Sequence, residues 1–261
     1  MIVVTLLSDF GSASPYPAAM KAVIATRCAA TLLDISHDVP RYDIRQGAYL
    51  LAAVAPYFPA GTVHVAVVDP GVGTARAALV VVSGGQFFVG PDNGLLLPAA
   101  KRVGRPTVFA AKSTAMPGPT ISPTFHGRDV FAPLAAQLAR GVPVASIAAP
   151  WGRYIDLDFG GAHRDRNRLR GQVLYVDPFG NLITNIPSAY LEEVGGDVTI
   201  HLGSKTVRAT IAHTYGEVEK GTVVIVAGSE GFLEVAVREG SAAALLGATA
   251  GVAVGLSHGG S

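Results

Sequence analysis

The chain is poor in the residues that most often announce a function. One cysteine, Cys28, stands in 261 residues, which excludes an internal disulfide framework and any cysteine-rich metal site. Charge is scarce, at 15% of residues against about 25% in an average soluble protein. Nor is it biased, because 20 Lys and Arg face 19 Asp and Glu for a formal charge of +1. No basic excess is left to hold a phosphate backbone, so nucleic-acid binding is not the expected task. No apolar run reaches the roughly 20 residues of a membrane span. The most apolar stretch, 242–256, is cut by Gly247 and Gly251 and reads as a short helix followed by a strand. The first residues lack a basic start and a small-residue cleavage site, so 2–7 reads as a strand and not a signal peptide. What is plentiful is apolar, 49% of the chain, enough to bury a sizeable core. The expectation is a folded, cytoplasmic protein of one large domain or two ordinary ones.

Strands and helices alternate through the first half. Residues 2–7 form a continuous apolar run, as a strand buried on both faces would. Helical spacing follows over 16–28, 45–57, 95–103 and 127–138, with strands at 31–35, 62–68 and 107–110. Residues 77–82 and 86–89 read as a hairpin across Ser83-Gly84-Gly85. This order predicts an α/β domain over 1–160, a mainly parallel sheet flanked by helices. A polar, arginine-rich stretch at 160–168 reads as a linker with a solvated face. Short β-like pieces at 171–176, 197–202, 205–211, 222–227 and 232–237 then predict an all-β, barrel-like domain over 168–261. Residues 257–261 read as a frayed tail.

Three short motifs fail on context. Gly71-Val72-Gly73-Thr74-Ala75-Arg76 begins like a dinucleotide fingerprint, but Arg76 replaces the third glycine and a strand follows where a helix is required. Ala227-Gly228-Ser229-Glu230-Gly231 imitates a nucleophile elbow, yet strand-like alternation follows it. Asp9-Phe10-Gly11 matches a kinase triplet without a catalytic loop. A denser signal lies at the C-terminal ends of the expected parallel strands, where open α/β sheets bind ligands. Asp9 follows the first strand, Asp34, His37 and Asp38 the second, and Asp69 the third. Asp92-Asn93-Gly94 and Phe125-His126-Gly127-Arg128-Asp129 each open a helix. Any one of these alone reads equally well as a cap or turn residue.

Five motifs occur in order: Ser8-Asp9-Phe10-Gly11, Val68-Asp69-Pro70-Gly71-Val72-Gly73-Thr74, Gly90-Pro91-Asp92-Asn93-Gly94-Leu95-Leu96, Thr124 to Pro133, and Asp177 to Asn185. Together they resemble the S-adenosylmethionine (SAM) hydroxide adenosyltransferases, the DUF62 group related to the fluorinase and chlorinase halogenating enzymes, over nearly the whole chain. The resemblance implies an N-terminal α/β domain, a C-terminal β-barrel, and a homotrimer with active sites between subunits. It implies attack at C5′ of SAM, yielding adenosine and methionine when water is the nucleophile. It further implies that Asp69, Arg76 and His126 surround that water. By the same resemblance Asp9 holds the ribose hydroxyls, Asn181 contacts adenine, Asp177 meets the methionine amine and Ser229 its carboxylate. Glu230 stands where the halogenases carry Arg, so carboxylate recognition differs here. Tyr42 stacks on the ligand or is a plain core tyrosine. Phe125 and Phe179 are apolar walls or core packing. Asp9 could instead cap the segment after it, and Arg76 a surface turn.

The chemistry asks for little. A sulfonium makes methionine a neutral leaving group, so no general acid is required, and orientation alone can supply about 7–11 kcal/mol. Free water has a pKa of about 15.7, so a metal or a polar cluster must ease loss of its proton. The seven histidines show no metal-ligand spacing, so no metal and no cofactor is expected, with SAM itself the substrate. Halide attack on the same carbon is the first rival. A carboxylate about 4 Å from an anion would repel it by roughly 4 kcal/mol at an effective dielectric near 20, so Asp69 speaks against it. A non-catalytic module binding SAM or adenosine is the second.

Overall fold

The computed structural model describes residues 2–115, 121–165, 168–191 and 197–258. The chain divides into two compact units, Met1–Asp158 and Phe159–Ser261. In the first, strands β1 (Val3–Ser8), β2 (Thr31–Ser36), β3 (Val63–Val67), β4 (Ala78–Ser83), β5 (Gln86–Pro91), β6 (Thr107–Ala111) and β7 (Ala148–Pro150) make one sheet in the order β2-β1-β3-β5-β4-β6-β7. The pairings β1–β2, β1–β3 and β3–β5 are parallel, the expected core of the sheet. The β4–β5 hairpin turns at Ser83↔Gln86 as the Ser-Gly-Gly signal predicts, and β6 and β7 extend the antiparallel side.

Every residue of β1 and β3 is buried, because helices cover both faces of the sheet. Helices α1 (Tyr16–Ala25) and α4 (Ala132–Ala139) pack on one face, with Met20, Ile24 and Leu134 in a core shared with Val4, Leu6, Val63 and Val65. Helix α2 (Ile44–Val54) is capped by Asp43, whose side chain accepts from the Gln46 N–H. Gly47 of α2 lets that helix lie against Val68, Leu7 and Leu95, and α3 (Leu97–Val103) packs beside it. A short α5 (Val144–Ile147) leads into β7. The chain leaves β1 toward β2 on one side and returns to β3 on the other. The ends of β1 and β3 therefore flank a crevice at a topological switch point.

In the second unit, β8 (His163–Asp165), β9 (Arg168–Val176), β10 (Leu182–Pro187), β11 (Asp197–Leu202), β12 (Lys205–Ile211), β13 (Val223–Ala227), β14 (Phe232–Val237) and β15 (Ala253–His258) form one sheet. β9 pairs with both β15 and β10, which closes seven strands into a barrel with β8 outside it on β9. Val173, Leu182, Ile200, Ile225 and Val235 fill the interior. Helix α6 (Ala242–Leu246), capped by the Ser241 hydroxyl and ended by Gly247 in the left-handed region, precedes β15, the helix-then-strand order expected there. Among the described residues no helix is long and apolar enough to cross a membrane.

Two expectations need correction. The stretch 160–168 is not a plain linker, since His163–Asp165 pairs with β9; Arg166 and Asn167 lie outside the described residues. The tail is not frayed from residue 257, because Ser257 pairs with Arg168 and Thr199 and His258 with Val198; residues 259–261 lie outside the described residues.

Candidate active site

At the C-terminal ends of β1 and β3 lies a cavity of about 340 Å³, lined among others by Asp9, Tyr42, Asp69, Phe125 and His126. Five of the ten residues singled out from sequence thus share one wall system. Asp69 lies two residues past the end of β3. The strand end is held by Asn93, whose side-chain amide donates to the Val68 carbonyl at 2.8 Å. Asp69 and Arg76 are nearly closed off, their side chains 4% and 10% exposed. Arg76 donates from Nε to Asp69 Oδ1 at 2.7 Å and from Nη2 to Oδ2. The same Nη2 donates to His126 Nδ1 at 2.8 Å, and the guanidinium carbon sits 5.2 Å from the ring centre of Phe131. A surface turn role for Arg76 is therefore wrong: the guanidinium is the hub joining carboxylate and imidazole.

Arginine can only donate, so His126 Nδ1 is the acceptor and the ring proton sits on Nε2. Burial first, then the Arg76 charge, push the His126 pKa below its ordinary value against the opposing pull of Asp69 and Asp129. His126 precedes a π-helical turn, Gly127–Phe131, that runs into α4. Such wide turns often mark functional sites. A side chain at Gly127 would press on Met20, Phe10 and Phe125.

The cavity lining also carries Asp9 and Tyr42. Asp9 is not a helix cap: its Oδ2 accepts the Tyr42 backbone N–H at 2.9 Å. Tyr42 is not a core residue either, being 69% exposed, and it is held at φ +67°, where non-glycine residues are uncommon. Phe125 packs edge-to-face on Phe10 and Tyr16 at 5.9 and 5.2 Å. Phe10, Tyr16 and Arg41 also line the cavity and were not picked out from sequence. Phe10 sits beside Asp9 in a motif, which was the available signal; Tyr16 and Arg41 carried none.

In the barrel unit, Asp177, Phe179 and Asn181 line a second cavity of about 620 Å³. Asp177 accepts from the Phe179 and Asn181 backbone N–H groups and from the Asn181 side-chain amide, all within 2.9 Å. Phe179 is 78% exposed, so it is a wall and not core. Tyr215 and Glu234 line the same cavity and were missed. The Tyr215 hydroxyl donates to Glu234 at 2.6 Å, and burial followed by that bond raises its pKa. A lone carboxylate within the apolar alternation of β14 was the signal. Ser229 lies outside this lining, on the β13–β14 turn, with its hydroxyl 3.3 Å from Glu230. The strand after it leaves no nucleophile elbow. Among the described residues no three His, Cys, Asp or Glu side chains are grouped to hold a metal ion.

Fold and site define an α/β domain with a polar cluster at its switch point, joined to a seven-stranded barrel. Residues 4–148 match the SAM hydroxide adenosyltransferase N-terminal domain and 171–255 the C-terminal domain, and the chain belongs to this family. It is 42% identical to the (R)-S-adenosyl-L-methionine hydrolase of Thermus thermophilus, over 97% of this chain and 98% of that one. Identity to the hydrolase of the same name from Salinispora tropica is 39%, over 95% of each. A fluorinase from Actinoplanes sp. is more distant, at 25% over 90% of each. A solved structure of an uncharacterized conserved protein from Thermotoga maritima superposes with a TM-score of 0.92 at 33% identity, covering 98% of this chain and all of that one.

Proposed function

We propose that this chain hydrolyses SAM to adenosine and L-methionine, by in-line attack of water on C5′ of the ribose. An O–C5′ bond forms as the C5′–S bond breaks; the electron pair goes to sulfur, which leaves as a neutral thioether, and the water proton leaves to the site. The observation that carries this reading is the Asp69–Arg76–His126 cluster, in which Asp69 and His126 line the cavity and Arg76, outside the lining, bonds both. Asp69 orients the water and accepts its proton. Arg76 holds Asp69 with two nitrogens and His126 with one of them, so its charge stands behind the developing hydroxide while its fork fixes both partners. His126, proton on Nε2, fixes the geometry and relays the proton. A buried carboxylate beside the nucleophile favours neutral water over a halide, and the 39–42% identity to chains named as hydrolases supports the same choice.

Asp9 is proposed to bind the ribose hydroxyls, with Tyr42 and Phe125 as walls. Asn181, its amide nitrogen committed to Asp177, offers its oxygen to adenine. Asp177, Phe179 and Ser229 serve the remaining substrate contacts. No cofactor enters the scheme. The working form is proposed to be a cytoplasmic homotrimer. Asp69→Asn tests the assignment: turnover of SAM should fall by at least about a hundredfold with its Kd unchanged, by single-turnover kinetics and calorimetry. Undiminished turnover would remove Asp69 from the mechanism.

A further inference from the structure

Ser8, His37 and Asp34 take no part in that scheme, yet Ser8 is wholly buried and His37 is 4% exposed. Buried polar groups are kept when their bonds are complete, and these are complete in one arrangement. Asp34 can only accept, so His37 donates to it from Nε2 at 3.1 Å. Ser8 Oγ accepts the Phe10 backbone N–H at 3.3 Å, and its hydroxyl donates to His37 Nδ1 at 2.7 Å. Lys21 anchors the far end on Asp34 at 2.5 Å. These are the residue types of a nucleophilic triad. Ser8, however, is sealed from solvent, so no substrate can reach its hydroxyl and the row contains no working nucleophile.

What the row does is join two strand ends. His37 lies just past β2 and Ser8 ends β1. Two backbone bonds reinforce the joint, Gly11 N–H to His37 O at 2.7 Å and Val39 N–H to Ser8 O at 3.3 Å. The residue after Ser8 is Asp9, and the loop that follows His37 carries Tyr42, whose N–H donates to Asp9. We propose that His37 is a positioning residue, which fixes the Asp9–Tyr42 wall by clamping Ser8 and so sets the affinity for the ribose part of the substrate. This inference rests on the hydrolase reading and names a determinant that reading does not use. The mechanism separates affinity from chemistry, because the Asp69–Arg76–His126 cluster hangs from β3 and the π-helical turn and not from this joint.

The test compares wild type with Ser8→Ala, His37→Leu and His37→Asn, which keeps an acceptor near the Nδ1 position. Readouts are kcat and KM for SAM, calorimetric Kd for adenosine, inhibition by L-methionine, and Tm as a folding control. Ser8→Ala and His37→Leu should raise KM and the adenosine Kd about tenfold, the scale of one displaced bond to a charged acceptor. They should leave kcat within about twofold and methionine inhibition unchanged, and His37→Asn should recover most of the loss. Folded variants with an unchanged adenosine Kd, or with adenosine and methionine binding weakened alike, overturn the clamp. A wild type that neither turns over SAM nor binds adenosine overturns the hydrolase reading, and the clamp with it.

Discussion

Arg76 makes three of the bonds that define the site, two to Asp69 and one to His126. Its removal leaves a nearly closed-off carboxylate without the guanidinium that both its oxygens bind. Breaking such a pair from one side costs about 3–5 kcal/mol, so Arg76→Ala should lower unfolding stability by that order in denaturant titration as well as abolish turnover. Loss of turnover at full stability would mean that Asp69 is not held as described. His126 gives a pH signature. Burial and the Arg76 charge hold its pKa below the ordinary 6.5, and a proton on Nδ1 would displace Arg76. The acid limb of kcat/KM should therefore fall below pH 6.5; a limb above it would assign the titration to another group. The same sign applies to stability. Between the lowered folded value and 6.5 the unfolded chain binds the proton that the folded ring refuses, so stability drops as pH falls through that window.

The parallel strands are tied across the sheet by a second buried histidine. His64 of β3 bonds Thr5 of β1 through Nδ1 at 2.7 Å and Gln86 of β5 through Nε2 at 3.0 Å. Gln86 donates its amide to the Ala55 and Phe58 carbonyls, so its oxygen is the acceptor and His64 carries its proton on Nε2. Burial lowers the His64 pKa to about 4. From pH 6.5 down to about 4 the unfolded chain takes a proton that the folded sheet excludes, a loss of up to about 3 kcal/mol. Thermal melts should show Tm falling across that range, and His64→Asn should flatten the slope; an equal slope in both would place the sensitivity elsewhere. The sequence makes β3 legible from its apolar run but hides these bonds, because Thr5 and His64 are 59 residues apart. Other elements were obscured for local reasons. β10 begins directly after the Gly180-Asn181 turn and carries Thr184 and Asn185 within its apolar run, so no regular alternation marks it as a strand. β8 is three polar residues on the outside of β9, and an edge strand facing water has no apolar alternation to read.

For the whole molecule, order of elements sufficed for two units of different class, because strand-helix alternation and closely spaced short strands demand different layers. Asp9 and Asp69 were legible as candidate-site residues because parallel-strand ends converge, and His126 because it opens a helical turn beside them; the three line one cavity. Arg76 was not legible from pattern alone, since only the folded chain brings it back onto Asp69. The proposed assembly predicts a mass in solution of three chains by light scattering; a monomeric mass with full activity would refute a trimeric site. The central claim is attack by water at C5′. The most direct measurement is incubation with SAM in ¹⁸O-labelled water, with and without chloride, followed by mass spectrometry. The account predicts adenosine carrying one ¹⁸O at the 5′ position and unlabelled methionine in both conditions. Unlabelled adenosine, a 5′-halo-adenosine in chloride, or bound SAM with no product would contradict it.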